Sequence, residues 1–361
     1  MGKTKINAKI LADSKDNRGN RITTFLLTYP RFIHSELLTH RVFSRNSASS
    51  RAIPFKRMLD SVMKNPFVPI AWQKSHNGMQ GSEYIKDTSL LEHLWLLARD
   101  EAVKKADGLN KMGVTKQICN RLLEPFMWHT CLVTATEWDN FFELRTPKFR
   151  RGSEYNTLIF NSKEDFISYY KKINASDGNS LYGKDFYFWE TFNKALAEIH
   201  IQALAEAMWD ARNKSTPKEL KAGEWHMPFG DKVTVNEIIN LYNKEFDSNI
   251  TQDYIDKIRV KIATARDARL SYMTFDKKID YYKDIKLHDK LKKDRHMSPF
   301  EHCAVCMSDE EYNSFIRGDL AYAHSKKHYN KLNKIPSQAL GWCNNFKGFI
   351  PYRYLVEHNL L

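Results

Sequence analysis

Residues 22–51 read ITTFLLTYPRFIHSELLTHRVFSRNSASSR. The β-branched and aromatic run that closes at Pro30 predicts a strand. After it, Phe32, Ile33, Leu37, Leu38 and Val42 fall at helical spacing, which predicts a helix ending at His40. The Ser-rich stretch beyond carries Arg41, Arg45 and Arg51. A helix end followed by hydroxyls, an amide and fixed cations offers many donors to a phosphate. A solvated loop on a basic surface has the same composition, so this segment alone does not choose between the two.

Working outward, KINAKIL (5–11) predicts a further strand, with a polar turn at Asp16–Asn20. LLEHLWLLARDEAVKKADGL (90–109) is an amphipathic helix. Residues 60–75 read as loop with short helical pieces. Two more helical stretches are predicted over 116–145, broken near Pro125, and over 186–212. Between them, residues 147–186 are aromatic and charged with little periodicity, which predicts a surface insertion, a lid or an oligomer arm. GEWHMPFG (223–230) is punctuated as a loop, whereas 233–246 and 253–275 return to helix. The tail from His302 is mixed. No internal repeat and no sharp linker divides the chain, so one elaborated domain over 1–361 is expected. Its fold class is α+β, a mixed or antiparallel sheet flanked by long helices.

Composition excludes a disordered or fibrous chain: 42% of the 361 residues are hydrophobic and 13% aromatic, enough for a sizeable core. No apolar run approaches the roughly 20 residues of a bilayer crossing, and the polar start lacks a signal-peptide stretch. A soluble, cytoplasmic protein without a membrane partner is expected. Five cysteines over so long a chain fit a reducing compartment better than a disulfide framework. Lys and Arg outnumber Asp and Glu by 56 to 43, a net +13 that implies anionic ligands.

Four segments concentrate Arg, His, Ser and Asn beyond what packing needs. The first is His40–Arg51. The second runs from Asn120-Arg121 to Thr136-Glu137-Trp138-Asp139-Asn140 and Arg145, where helical spacing would set Thr136, Asn140 and Glu143 in one polar stripe. The third is Ser298-Pro299-Phe300-Glu301-His302, preceded by His296, and the fourth Ala268-Arg269-Leu270-Ser271-Tyr272. His296, His302, Cys303 and Cys306 raise the question of a metal, but a lone C-x-x-C lacks the four ligands of a closed zinc site, and core cysteines are the main reading. No G-x-G-x-x-G follows a strand and no Walker loop occurs, so a nucleotide must be held in another way.

Together these segments resemble the flavin-dependent thymidylate synthases. His40-Arg41 followed by Ser49 is similar to that family's Arg-His-Arg-x7-Ser signature. Ser298–His302 is similar to its Ser/Thr-Pro-Phe-Glu-His segment, Ala268–Tyr272 to its Ala-Arg-Val-Ser-Tyr/Phe segment, and Arg121–Arg145 with Ala197-Glu198-Ile199 to its later helices. The likeness covers about two thirds of the chain. In the family the Ser-Tyr and Pro-Phe-Glu-His segments precede the Arg-His-Arg segment; here they follow it, as a circular permutation would give. If so, residues 260–302 must pack beside residues 20–51.

The resemblance implies roles. His40, Arg41, Val42, Asn46, Asn140, Ser271, Ser298 and Glu301 would hold FAD. Ser49, Arg51, Arg121 and Arg145 would bind a pyrimidine nucleotide, with Arg145 polarising the base and Ser49 and Arg51 on the phosphate. The implied reaction is one-carbon transfer from methylenetetrahydrofolate to C5 of dUMP, giving dTMP, with NADPH reducing the flavin. The implied assembly is a homotetramer whose sites draw on several subunits. Thr39 stands where the signature has its first Arg, Ser47 where many members have Glu, and Glu36 where Gln is common. Because these departures sit in the active-site segment, they bear on the substrate, and dCMP, with a methyl or hydroxymethyl product, is the alternative. A nucleic-acid-binding protein without catalysis is the non-enzyme alternative, disfavoured by the scattered charge.

Overall fold

A computed structural model describes residues 4–77, 83–146, 150–153, 156–176, 197–230, 233–243, 252–274, 280–320 and 335–361. β1 (Asn7–Lys15) and β2 (Arg21–Pro30) form an antiparallel hairpin. In its turn the Asp16 carboxylate accepts the N–H groups of Arg18 and Asn20, and Gly19 supplies the positive φ. A 3-10 turn at Arg31–Ile33 and the short α1 (His34–Leu38) follow, then β3 (Ser44–Ser47), α2 (Phe55–Lys64), α3 (Ser89–Lys111) and α4 (Lys116–Cys119). After a 3-10 stretch at Asn120–Phe126 come β4 (Trp128–Ala135), α5 (Asp139–Arg145), the hairpin β5 (Arg150–Ser153) and β6 (Asn156–Ile159), α6 (Lys163–Ser176) and α7 (Ile199–Lys214). The rest is β7 (Lys218–Glu219), β8 (Trp225–His226), α8 (Val235–Asn243), α9 (Gln252–Arg269), α10 (Tyr281–Lys293), a 3-10 turn at Ser298–Glu301 and β9 (Ala304–Cys306). It ends with α11 (Asp309–Ser314), β10 (Trp342–Cys343), β11 (Phe346–Lys347), β12 (Phe349–Pro351) and α12 (Tyr352–Glu357).

The fold is α+β around a five-stranded mixed sheet of order β3-β4-β2-β1-β7, in which only the β1–β7 pair is parallel. One face of it carries an aromatic core of Phe25, Val133, Trp138, Phe141, Phe142 and Trp209, all buried, under α5 and α7. Each such side chain contributes about 1.5–3 kcal/mol of burial. The opposite face carries a line of buried polar groups. Ser14 Oγ meets His226 Nδ1 (2.9 Å), His226 Nε2 meets Thr24 Oγ1 (2.8 Å), Thr24 meets Thr134 (2.8 Å) and Thr134 meets His302 Nδ1 (2.8 Å). This line ties the sheet to the Ser298–His302 turn.

Four expectations are corrected here. The helix predicted to end at His40 shrinks to a 3-10 turn and α1, and His40 lies beyond it. The stretch 127–138 is not helix: WHTCLVTA has no helical period, its Thr and Val residues favour the pleat, and it is buried on both faces as a central strand. Thr136 therefore shares no helix face with Asn140; its Oγ1 accepts the Lys347 N–H (3.0 Å). Ser44–Ser47, read as polar loop, is an edge strand on β4. Finally, part of the 147–186 segment is embedded: Phe160 and Phe166 join the main core, and Trp209 Nε1 donates to the Phe160 carbonyl (2.8 Å). Residues 147–149, 154–155 and 177–196 of this region, including the start of the helix expected from Phe186, lie outside the described residues.

Residues 260–302 do pack beside 20–51. Asn46 Nδ2 donates to the Asp267 carbonyl, and the Ser49 N–H to the Ser271 carbonyl (3.1 Å). Cys303 and Cys306 are buried in two different apolar clusters, and among the described residues no group of side chains is arranged to hold a metal. No helix among them is long and apolar enough to cross a membrane.

Candidate active site

β3 ends in a tight turn that the fold fixes from several sides. The N–H groups of Ala52 and Ile53 both donate to the Ser49 carbonyl (3.0 Å each). Asn120, fully buried, donates its amide to the carbonyls of Ser50 (2.6 Å) and Ile53 (3.0 Å). Ser50 Oγ donates to Glu124 (2.8 Å). These side-chain hydrogen bonds hold a turn that local sequence would leave loose. The turn, the end of α9 and the Ser298 turn enclose an open cleft of about 510 Å³.

Five residues singled out from sequence line this cleft together: Asn46, Ser49, Arg51, Ser271 and Ser298. Gln117 and Lys290 line it with no motif to mark them, and His296, weighed from sequence only as a metal ligand, faces it too. Asp294 is the one acid in the lining, against the cations Arg51 and Lys290. Hydroxyls, amides and cations over an apolar floor of Ala268, Leu287, Leu291 and Pro299, with the exposed ring of Tyr272 at the rim, suit a phosphorylated ligand carrying a planar group. That donor set fits the phosphate-bearing part of a flavin dinucleotide and equally a nucleoside monophosphate.

Arg145 is not in this cleft. Register places Arg45 opposite Val133, on the aromatic-core face, and Asn46 opposite Leu132, on the other. Arg145 ends α5 on the aromatic-core face, only 7% exposed, its guanidinium 4.7 Å from the Phe141 ring centroid. Its Nε and Nη1 have no hydrogen-bond partner among the described residues. The His40 ring meets the same Phe141 edge-on at 4.9 Å. Burial, then Arg145 and Arg45, hold His40 down to about 4, so it is neutral near pH 7. Burial, then the charge of Glu198, push Glu36 up to about 7, against the pull of Arg145. Burial also lowers Arg145, with Glu36 opposing. Glu198 itself caps α7, accepting the N–H groups of His200 (2.7 Å) and Ile201 (3.3 Å). Arg45 donates to the Leu38 (2.8 Å) and His40 (3.3 Å) carbonyls, fixing the link from α1 to β3.

The remaining expected residues are dispersed. Glu301 pairs with Arg353 in a separate polar cavity of about 400 Å³ that also includes Ser44, Asn344, Asn345 and Glu357. Val42 packs against the main core. Arg41, Arg121 and Asn140 are exposed. Within one chain, then, the sequence-marked residues divide between a phosphate-suited cleft on one face of the sheet and the buried Arg145 on the other.

No protein-family model matches the chain, and no curated protein matches it. Among solved structures, a UMP/dUMP methylase PolB from Streptomyces cacaoi, bound with 5-Br dUMP, is 14% identical, with 49% of this chain and 91% of that one covered at a TM-score of 0.33. The same enzyme bound with 5-Br UMP gives 16% identity, 54% and 97% coverage and a TM-score of 0.32. At those scores the likeness bears on neither fold nor function.

Proposed function

We propose that this chain is an FAD-dependent enzyme that transfers a one-carbon unit from methylenetetrahydrofolate to C5 of a deoxypyrimidine monophosphate, with NADPH as reductant. The observation that carries the reading is the cleft itself. Residues from the His40–Arg51 segment and from the 268–298 segments, far apart in the sequence, converge on it. The non-enzyme alternative offers no reason for that convergence.

In this reading Asn46, Ser271 and Ser298 hold the cofactor's polar portion, while Ser49 and Arg51 hold the nucleotide phosphate through charge-assisted bonds. His40, Arg41, Val42, Asn140 and Glu301 remain candidates for the flavin's periphery, and Arg121 for the nucleotide's. The chemistry a bound flavin would supply is return of a hydride to the transferred carbon. Arg145 polarises the base, and Phe141 keeps water from its guanidinium. Because Arg145 and Ser49 lie on opposite faces of one sheet, the reading requires assembly from more than one copy, a homotetramer in which base and phosphate sites come from neighbouring chains. The test is direct: purified protein should carry flavin absorbance and elute as an oligomer, and a colourless monomer that binds DNA in a salt-sensitive way would overturn the reading.

A further inference from the structure

One wall of the cleft belongs to no sequence motif. Leu287, Lys290 and Leu291 on α10, with Asp294 just past its end, line the cleft at positions i, i+3, i+4 and i+7 of one helical face. Other residues of the helix fix that wall. The buried Asp284 takes the guanidinium groups of Arg269 (2.7 Å) and Arg266 (3.5 Å) from α9, and His288 Nε2 meets the Tyr352 hydroxyl of α12 (3.0 Å). Nearby lysines are already engaged: Lys283 with Asp280 (2.9 Å), Lys261 with Asp289 (3.1 Å) and Lys286 against the Tyr282 ring (4.1 Å). Lys290 has no acidic partner among the described residues, although Asp294 stands one turn further on. Lys290, Lys292 and Lys293 all close α10, where each offsets the helix dipole, but of the three Lys290 alone lines the cleft. Helix-end chemistry accounts for a lysine in this turn and not for one placed in the cleft wall across from the β3 turn.

We propose that Lys290 is a phosphate-binding residue, which together with Arg51 makes the cleft a seat for the terminal phosphate of a nucleoside monophosphate, a deepening that rests on the nucleotide reading above. Arg51 brings a planar fork of donors from the β3 turn, and Lys290 brings a compact charge on a flexible stem from α10. A phosphate between them takes charge-assisted bonds from two separate elements. A terminal monoester carries close to two negative charges near pH 7, so it draws on both cations. The pyrophosphate of a flavin dinucleotide shares the chemistry but carries a single charge on each phosphate, so it gains less from a paired seat. Asp294 is the one carboxylate in the lining and sets the limit on the charge offered there.

The experiment is calorimetric titration of the full-length, FAD-supplied protein with dUMP and with dCMP, for wild type, Lys290→Ala, Lys290→Arg and Lys293→Ala, with FAD uptake measured on the same proteins. Lys290→Ala should weaken binding of whichever nucleotide wild type takes by about tenfold, and Lys290→Arg should restore most of that loss. Lys293→Ala removes the same charge from the same helix end and should leave nucleotide affinity unchanged. FAD uptake should be equal in all four proteins. Should Lys290→Ala misfold, Lys290→Gln removes the charge while keeping most of the stem and is read in the same way. An unchanged nucleotide affinity in Lys290→Ala, an equal loss in Lys290→Ala and Lys293→Ala, or a loss confined to FAD would overturn the assignment while leaving the nucleotide reading in place. Wild type that binds neither nucleotide would overturn both.

Discussion

The side-chain amide of Asn46 donates to the backbone carbonyl of Asp267, 221 positions further along the chain. Three residues on, the Ser49 N–H reaches the Ser271 carbonyl. These two bonds stitch the edge strand β3 to the end of α9, and the cleft opens where they meet. Chain order is therefore no obstacle to a shared site: the two segments need only lie side by side, whichever is made first.

Ser49→Ala and Arg145→Ala should separate binding from stability. A charge-assisted bond is worth roughly 1.5–3 kcal/mol, so each substitution should raise the nucleotide dissociation constant about ten- to a hundredfold. Because Arg145 is buried, with its Nε and Nη1 lacking hydrogen-bond partners among the described residues, its removal should leave the melting temperature unchanged or higher. A lower melting temperature with unchanged nucleotide affinity would mean that Arg145 is a structural residue.

Thr134→Val should be costly despite its near-identical shape. The hydroxyl sits between Thr24 and His302 in a fully buried line, and its loss leaves both neighbours short of a partner at about 1–3 kcal/mol. Urea unfolding should show this as a lower midpoint with an unchanged slope.

Acid should unfold the protein through His226 and His302. Burial holds both down to about 3, with the nearby His226 adding to the effect on His302. Between about 3 and the ordinary histidine value the unfolded chain binds protons that the folded one refuses, so stability falls as pH falls, by roughly 1.4 kcal/mol per pH unit for each histidine. Melting temperatures recorded downward from neutral pH check the sign, and His226→Gln should flatten the slope.

Asp267 has the opposite sign. Its carboxyl is fully buried, both oxygens lack partners among the described residues, and burial raises it well above the usual carboxylate range. The folded state keeps a proton that the unfolded state loses, so stability falls as pH rises through that interval. Asp267→Asn should remove this dependence, measured as a Tm less sensitive to rising pH.

Much of the frame is legible from residues alone, for identifiable reasons. β1 and β2 announce themselves through β-branched and aromatic residues on either side of a polar turn, and α3 through its helical period. β4 does not, since a strand buried on both faces shows no alternation of apolar and polar residues, and its Cys, Leu and Ala residues sit equally well in a helix. Ser44–Ser47 is hidden for the converse reason: its polar residues are buried through partners supplied by β4 and α9, distant in sequence. At the site, Asn46, Ser49, Arg51, Ser271 and Ser298 are readable as polar clusters, whereas Lys290 reaches the cleft only because α10 packs along α9. The separation of Arg145 from Ser49 is invisible in sequence, because it depends on which face of the sheet each element covers.

The central claim, one-carbon transfer to C5 of a pyrimidine monophosphate, is tested most directly by the mass of the nucleotide after reaction. The full-length protein is incubated with FAD, NADPH and methylenetetrahydrofolate, and with dUMP or dCMP in separate tubes. The account predicts that a pyrimidine nucleotide gains the mass of a methylene group, or of a methylene and an oxygen, in a reaction that stops when the protein is stripped of flavin and FAD is left out. A flavin-bound, oligomeric protein that leaves both nucleotides at their starting mass would contradict it.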